Sequence, residues 1–309
     1  MVTKQFQTME KEIERQGLKI YQANKLARSF GNFTAQELKI FDYLTTFIKV
    51  GDVVTKTYQT SKIELTETLK TSKGGKQWKT ISNTLDNFQS RVIKIPIIGN
   101  LGLGVARVNI LQKSIEYEDG RVEFQFHPEI SDFLFNLKNT GKFYTIPISI
   151  VAGYKSKSAI ILHHIWEATA PLADNKNVVE ITGSLDEFKI WFLGEALYQN
   201  ASAWESWTSR KFRDKILNKA INEFCSKQKN VTVEVEAQKK GRQVIGYTVR
   251  LTREALKPDK ETILIQQIKA RAKILYADAP VITFTNEQNV AYELYANGLI
   301  ENVPAMYEL

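Results

Sequence analysis

The sequence predicts an α+β protein in which one order of elements, helices followed by a β-hairpin, occurs twice. Residues 34–126 contain helical and then strand-like apolar patterns, and residues 184–251 contain them again in the same order. A nearly all-round apolar helix at 158–168 separates the two. Helices followed by a two-stranded wing are typical of the winged-helix fold. We therefore expect two tandem winged-helix domains joined by a buried helix.

Size and charge limit the class of protein. The 309 residues are enough for two domains of roughly 100–150 residues, and a composition of 43% hydrophobic and 25% charged residues predicts a globular chain. The net charge of +8 is unevenly placed, because residues 274–309 contain no Lys or Arg. A basic body of this kind favours a polyanion partner.

Two further features predict a cytoplasmic protein without a membrane segment. The longest apolar runs, 144–154 and 159–166, are shorter than the roughly 18–20 residues of a spanning helix. Cys225 is the only cysteine, so we expect no intrachain disulfide and no cysteine-based zinc cluster.

Three helices are predicted at the start of the first unit. Capping boxes at 34–37 and 61–64 begin helices that extend to about Ile48 and Leu69. After the flexible stretch 72–75, a third helix is predicted from apolar residues at helical spacing: Trp78, Ile81, Leu85, Phe88 and Val92.

The first wing is predicted from strand-like residues at 92–98 and 105–117, a turn at 118–121, and alternation beyond it. The alternating apolar residues are Val122, Phe124 and Phe126. The glycine-rich stretch 99–104 lacks the spacing and the lysine of a phosphate-binding loop, so we expect a flexible link within the hairpin.

The second unit opens with a capping box at 184–187 and has a basic amphipathic helix after Ser206. One arc of this helix is apolar: Phe212, Ile216, Leu217, Ala220, Ile221 and Phe224. Two strands with apolar residues at every second position follow it: Val231, Val233 and Val235, then Ile245, Tyr247, Val249 and Leu251. The turn between these strands is Lys239-Lys240-Gly241-Arg242.

A helix of this kind fits the major groove of DNA, where residues of its first turns reach base edges. The candidates for base readout are Ser209, Lys211, Arg213, Asp214 and Lys215. Arg213 falls within the apolar arc, so the residues alone leave base contact and a structural ion pair about equally open. The candidates for phosphate or minor-groove contact are Arg210, Lys239, Lys240 and Arg242, with a solvated hairpin tip as the alternative.

The third helix of the first unit offers a weaker candidate surface for DNA. Its polar residues are Lys76, Lys79, Thr80, Asn83 and Asn87. They carry less charge than the basic helix, so a solvated helix face is nearly as good an interpretation.

No residue pattern predicts catalysis. The histidines are His127, His163 and His164, and with one cysteine they form no recognised metal-binding spacing. A rolling-circle nickase requires a His-hydrophobe-His motif, which adjacent histidines do not supply. Because His163 and His164 lie in an apolar helix, we expect them to be packed. The sequence predicts a protein that is not an enzyme, with no catalytic residue, metal or cofactor.

Several stretches resemble iteron-binding plasmid replication initiators. In the second unit, the stretches that resemble the family's second domain are 211–217, 220–223 and Lys239-Lys240-Gly241-Arg242-Gln243. In the first unit, those similar to its N-terminal domain are 24–26, 33–37, 126–130 and 133–134, and residues 154–159 resemble the start of its interdomain helix. The resemblance covers roughly residues 18–255.

The resemblance implies a bacterial protein that acts on plasmid DNA. Monomers of such initiators bind directly repeated sites, called iterons, in double-stranded DNA at an origin, and dimers often repress their own promoter. A host replication initiator or helicase is an implied further partner. The family pattern favours base contact for Arg213. Asp214 departs from it, because relatives tend to have a further arginine there, and this puts a base contact at Asp214 in doubt.

Two other functions stay open on the sequence. One is a winged-helix transcription regulator with no initiator role. The other is a structural adaptor that uses its basic faces to bind proteins.

We expect three regions along the chain. Residues 1–155 form an N-terminal winged-helix domain for dimerisation and accessory DNA contact. Residues 156–256 form the interdomain helix and the DNA-binding winged-helix domain. Residues 257–309 form a helical extension with an acidic end, which docks a replication partner, covers a basic surface of its own chain, or packs against the second domain.

Overall fold

The computed structural model describes residues 17–72, 74–99, 102–135, 137, 142–170, 177–228, 230–253, 260–275 and 283–307. Helices and antiparallel strands are mixed along these residues, so the fold is α+β as predicted. The chain divides into two compact units, Met1–Glu254 and Ala255–Leu309. None of the described helices has the length and apolar character needed to cross a membrane.

The first half of the larger unit follows the predicted order of helices and wing. Its elements are β1 Lys19–Ala23, α1 Ala35–Thr45, β2 Tyr58–Ser61, α2 Lys62–Thr68, α3 Gly75–Ser90, β3 Val92–Gly99, β4 Gly102–Asn109, β5 Leu111–Glu116, β6 Arg121–Phe126, α4 Ser131–Leu134, β7 Phe143–Pro147 and α5 Ile148–Gly153. The Thr34 hydroxyl accepts from the Glu37 N–H at 3.2 Å, and the Glu37 carboxylate accepts in return from the Thr34 N–H. Helix α1 ends at Thr45, before the predicted Ile48, where the Thr45 and Thr46 hydroxyls donate to backbone carbonyls.

The wing of this half differs from its prediction. A continuous strand over 105–117 is wrong, because the chain breaks at Ile110 into β4 and β5. Strand β4 pairs with β3, whereas β5 joins the sheet β2-β6-β5, and the buried Ile110 lies at the change of partner. The flexible link expected over 99–104 is wrong for most of its length, because Gly99 ends β3 and pairs with Gly102 at the start of β4. Residues 100 and 101 lie outside the described residues.

The second half repeats the arrangement. Helix α6 Lys157–Thr169 precedes it, and its own elements are β8 Val178–Ser184, α7 Leu185–Leu193, α8 Glu195–Tyr198, α9 Ala201–Glu205, the continuous helix α10 over residues 209–227, β9 Val231–Lys240 and β10 Gln243–Arg253. The strands form one antiparallel sheet in the order β8-β10-β9. Its inner face packs on helices α7 and α10, where Tyr247 contacts Phe188 and Phe212.

Helix α6 is buried between the two halves, as predicted, although Pro171 lies outside the described residues. His164 belongs to a closed ring of hydrogen bonds among fully buried side chains of the first half. Its Nδ1 lies 2.7 Å from the Tyr144 hydroxyl and its Nε2 lies 2.9 Å from Asp42 Oδ2. Gln22 closes the ring, because its amide donates to Asp42 and its carbonyl accepts from Tyr144. A buried polar group without such partners would cost folding free energy.

The neighbouring His163 faces the second half of the unit. The centroid of its ring lies 5.4 Å from that of the Phe224 ring of α10, and the centroid of the Trp166 ring lies 5.1 Å from that of Phe224. Burial lowers the pKa of His163. The two histidines are therefore packed, as expected, and α6 belongs to the continuous core that extends through both halves.

A glycine joint fixes the two halves at a second place. A Cβ at Gly31 would lie 2.2 Å from the Ile190 carbonyl oxygen, and one at Gly194 would lie 2.0 Å from Asn32 Oδ1. Asn32 Oδ1 accepts from the Ala196 N–H at 3.2 Å. Only glycine allows backbones to approach this closely.

The smaller unit is a pair of helices, α11 Lys260–Leu275 and α12 Thr283–Ala296, followed by a short 3-10 helix at Ala305–Tyr307. Its buried core consists of Ile268, Ala272, Val290, Ala291, Leu294 and Tyr307.

Glu223 of α10 fixes the start of α6, which gives a testable effect of pH. Its carboxylate accepts from the backbone N–H groups of Lys155 and Ser156. Burial alone would raise the pKa of Glu223, but the hydrogen bonds from Ser156 and Lys155 outweigh it and lower the pKa. The stabilisation is thus present above the ordinary glutamate pKa and is lost as the pH falls through the lower folded value.

We expect Glu223→Gln to lower the free energy of unfolding by about 1 kcal/mol at neutral pH. The difference from the parent should shrink as the pH falls below about 4. Urea unfolding at about pH 7 and about pH 3.5 measures it. The exposed Glu205→Gln is the control. A Glu223→Gln deficit that stays constant with pH would contradict this account.

Candidate nucleic-acid interface

The start of helix α10 is anchored on strand β10. The Thr208 hydroxyl caps the helix by accepting from the Lys211 N–H at 3.3 Å. The Tyr247 hydroxyl donates to the Ser209 carbonyl at 2.8 Å, and the Tyr247 ring stacks on Phe212 with centroids 6.2 Å apart. The first turn of α10 therefore has a fixed position on the sheet.

The second turn of α10 is a π turn. Residues Ser209–Phe212 and Asn218–Lys227 are α-helical, and Arg213–Leu217 between them are π-helical. The π turn holds an extra residue, so the fully buried Phe212 and Leu217 share one face although they are five positions apart. Such turns occur frequently at functional sites.

The π turn corrects the expected placement of Arg213. With α-helical angles Arg213 falls within the apolar arc, but the structure leaves Arg213, Asp214 and Lys215 all exposed. The wider turn carries these three successive residues across the outer surface before Leu217 returns to the core. Arg213 is therefore available to an external partner.

The other residues of the predicted reading surface lie beside them. Lys211 is exposed, and its Nζ lies 4.7 Å from the centroid of the half-buried Trp207 ring. Arg210 has a side chain 93% exposed, with Nε 3.8 Å from Asp214 Oδ2. Ser209 is half-buried, so its hydroxyl is the least accessible of the set. Of the residues predicted for base readout, Lys211, Arg213, Asp214 and Lys215 are thus exposed and Ser209 is half-buried, and their contacts to DNA stay predictions.

The tip of the second hairpin is fully basic. Lys239, Lys240 and Arg242 are exposed around Gly241, whose φ of +63° suits glycine in a tight turn. Lys240 pairs with Gln243 across the turn. The predicted alternation of β10 fails beside this tip, because a β-bulge between Val244 and Gly246 leaves Ile245 exposed while Tyr247 and Val249 are buried.

The weaker surface on helix α3 is partly used inside the protein. The Asn87 amide donates to Glu37 Oε1 at 3.2 Å, and the Thr80 hydroxyl donates to the Lys76 carbonyl at 3.0 Å. Lys76, Lys79 and Asn83 are exposed. The side chains of these three residues therefore face solvent and take no part in the two internal hydrogen bonds.

The described part of the chain offers no cluster of metal ligands. No group of three or more His, Cys, Asp or Glu side chains among those residues is arranged to hold a metal ion. Cys225 is half-buried, and burial raises the pKa of its thiol.

Sequence reasoning missed the groups that position this surface. Thr208 does carry a recognisable signal, because threonine is a preferred N-cap residue whose hydroxyl accepts from the N–H three residues later, here that of Lys211. Tyr247 and Trp207 carried no signal of their roles, because their partners Ser209 and Lys211 are recognised only once the fold is known.

Two units of helices and wing, with an exposed basic helix and a basic wing tip, define a tandem winged-helix protein. The chain belongs to the initiator replication protein family, as the resemblance implies. Residues 19–167 match the family described as Initiator Replication protein, WH1, and residues 184–250 match Initiator Rep protein, WH2. The prediction of two winged-helix domains is confirmed.

The chain is also similar to solved structures. The crystal structure of Pi initiator protein in complex with iteron DNA matches with a TM-score of 0.60 and 15% identity, covering 77% of this chain and 98% of that chain. Domains 2 and 3 of RctB match with a TM-score of 0.42 and 12% identity, covering 72% of this chain and 83% of that one. The likeness to Pi supports the shared fold. Comparison with curated protein sequences gives no match.

The anchor of α10 on the wing can be tested with Tyr247→Phe. This change removes the bond to the Ser209 carbonyl but keeps the stacked ring, so we expect a loss of about 1 kcal/mol in the free energy of unfolding. Faster hydrogen exchange at the amides of residues 211–214 should accompany it. The exposed Tyr198→Phe is the control. Equal stability of the two variants would argue against the anchor.

Proposed function

We propose that this chain is a sequence-specific, double-stranded-DNA-binding plasmid replication initiator that binds direct repeats at an origin. One observation carries the proposal: the exposed Arg210, Lys211 and residues 213–215 of α10 lie on a helix whose first turn is bonded by Tyr247 to β10, the strand that leads from the basic hairpin tip. Family membership and the iteron DNA bound by the similar Pi initiator agree with it.

In this proposal, α10 lies in the major groove. Its π turn presents Arg213, Asp214 and Lys215 together to base edges, where an arginine can donate to two guanine acceptors and an aspartate can accept from cytosine. Lys211 leaves the Trp207 ring to reach a base or phosphate. The side chains of Arg210, Lys239, Lys240 and Arg242 neutralise phosphates and set the register of the helix.

Asp214 can also pair with Arg210 while no DNA is bound. Its carboxylate lies near the Arg210 guanidinium, at 3.8 Å, and both side chains are exposed. An ion pair so exposed stabilises little, so it can break when DNA supplies a phosphate for Arg210 and a base for Asp214.

We further propose that the first winged-helix domain, residues 1–155, supports dimerisation and an accessory DNA contact through Lys76, Lys79 and Asn83 of α3. Residues 156–256 then form the main DNA-binding domain. Dimers bound at the protein's own promoter repress it, whereas monomers occupy the repeats. Residues 257–309 and a host initiator or helicase complete the assembly. The proposal assigns no catalytic step, metal or cofactor.

The alternative is a winged-helix transcription regulator without an initiator role. The same helix and wing suit both functions, so the arrangement of target sites separates them.

The test is fluorescence anisotropy with the full chain at near-physiological salt. It compares the duplex flanking the protein's own gene with a scrambled duplex of equal length. We expect stepwise, selective occupancy of direct repeats. Selective binding to one palindrome would indicate the regulator instead, and equally weak binding to both duplexes would overturn both DNA-reading proposals.

Substitutions should separate readout from phosphate contact. We expect Lys211→Ala and Arg213→Ala to reduce the preference for repeats by about ten- to a hundredfold, since a good base pairing contributes about 1–3 kcal/mol. Lys239→Ala should weaken binding to every duplex and lower the salt slope of the binding constant by about 1.

Lys219→Ala is the matched control, because Lys219 is exposed on the same helix beyond the π turn. It should bind both duplexes nearly as the parent does. Equal losses for Lys211→Ala, Arg213→Ala and Lys239→Ala on every duplex would contradict the division of roles.

A further inference from the structure

The second hairpin carries an unpaired isoleucine beside its basic tip. Val244 pairs with Lys239 and Gly246 pairs with Gln238, so Ile245 is the extra residue of a β-bulge. Its side chain is 43% exposed, although in an unbroken strand it would share the face of the buried Tyr247. A bulge redirects a side chain and bends its strand, and bulges are frequent next to functional sites.

The bulge is held in place from three sides. A Cβ at Gly246 would lie 2.4 Å from the Gly183 carbonyl oxygen of β8, so no other residue fits there without displacing backbone. Val244 packs against the core on one side of the bulge. On the other side, Tyr247 is bonded to the first turn of α10. Ile245 therefore keeps a fixed position relative to the reading helix.

The surroundings of Ile245 match the chemistry of a DNA backbone. A single exposed aliphatic residue is unremarkable in itself. Here it lies in the same hairpin end as the exposed Lys239, Lys240 and Arg242. A DNA strand presents phosphate oxygens, which these cations fit, and between them the carbon atoms of deoxyribose, which only an apolar group fits.

We propose that Ile245 is the apolar DNA contact of this wing, packing on deoxyribose carbons between the phosphates that the basic tip neutralises. The inference rests on the proposed DNA binding and adds a specific contact to it. Because sugars are the same at every base, the contact adds affinity without sequence preference. It also adds no charge, so it leaves the salt dependence of binding unchanged.

The experiment measures binding of full-length variants to the repeat duplex and to the scrambled duplex over a range of salt. Ile245→Thr keeps the β-branched shape and the bulge but replaces apolar surface with a hydroxyl. We expect about three- to tenfold weaker binding to both duplexes with an unchanged salt slope. Ile245→Leu, which stays apolar, should retain most of the affinity. Lys239→Ala is the comparison that does lower the slope.

Val53→Thr is the matched control, because Val53 is 63% exposed and lies outside the hairpin. Circular dichroism of each variant checks that the fold is retained. If Ile245→Thr does not fold, the test uses Ile245→Leu instead, and the inference then requires that Ile245→Leu binds DNA with the affinity of the parent. Binding by Ile245→Thr equal to that of Val53→Thr, or a slope lowered as in Lys239→Ala, would overturn the inference. A parent chain that binds both duplexes equally would instead overturn the initiator proposal, and the Ile245 contact would still be measurable.

Discussion

Helix α6 is the constraint on which both winged-helix domains depend, because its two adjacent histidines contact side chains of different halves. His164 completes the closed hydrogen-bond ring with Asp42, Tyr144 and Gln22 in the first domain. His163 packs on Phe224 of the second. The helix is thus neither a linker nor a spacer. Its buried residues belong to one continuous hydrophobic core that extends through both halves.

The position of the candidate DNA-binding surface depends on further contacts of α6 and α10. Glu223 ties α10 to the start of α6, and the Gly31–Gly194 joint leaves no room for a Cβ at either glycine. Tyr247 then ties α10 to the wing. These contacts join α6, α10 and β10, so the exposed cations of α10 and of the hairpin tip lie on directly connected elements. Preorganisation of this kind reduces the ordering that binding would otherwise require.

The sequence predicted those features that depend only on residues close together in the chain. The capping boxes at Thr34 and Ser184 form as predicted, because each needs only residues within one turn. The break at Ile110 was not predictable, since it depends on which strand β4 and β5 each pair with. The π turn was not predictable either, because Phe212, Ile216 and Leu217 fit an ordinary α-helical arc. The same holds for Asn87, whose partner Glu37 is distant in the chain.

The π turn also has a consequence for how such proteins diverge. Removing one residue between Phe212 and Leu217 would leave these two core side chains four positions apart, which is a spacing that an α-helix buries on one face. The core of the second domain is therefore compatible with two lengths of the exposed segment. A single-codon deletion in this segment would therefore change which side chains are exposed, while the packing beneath it stays as it is.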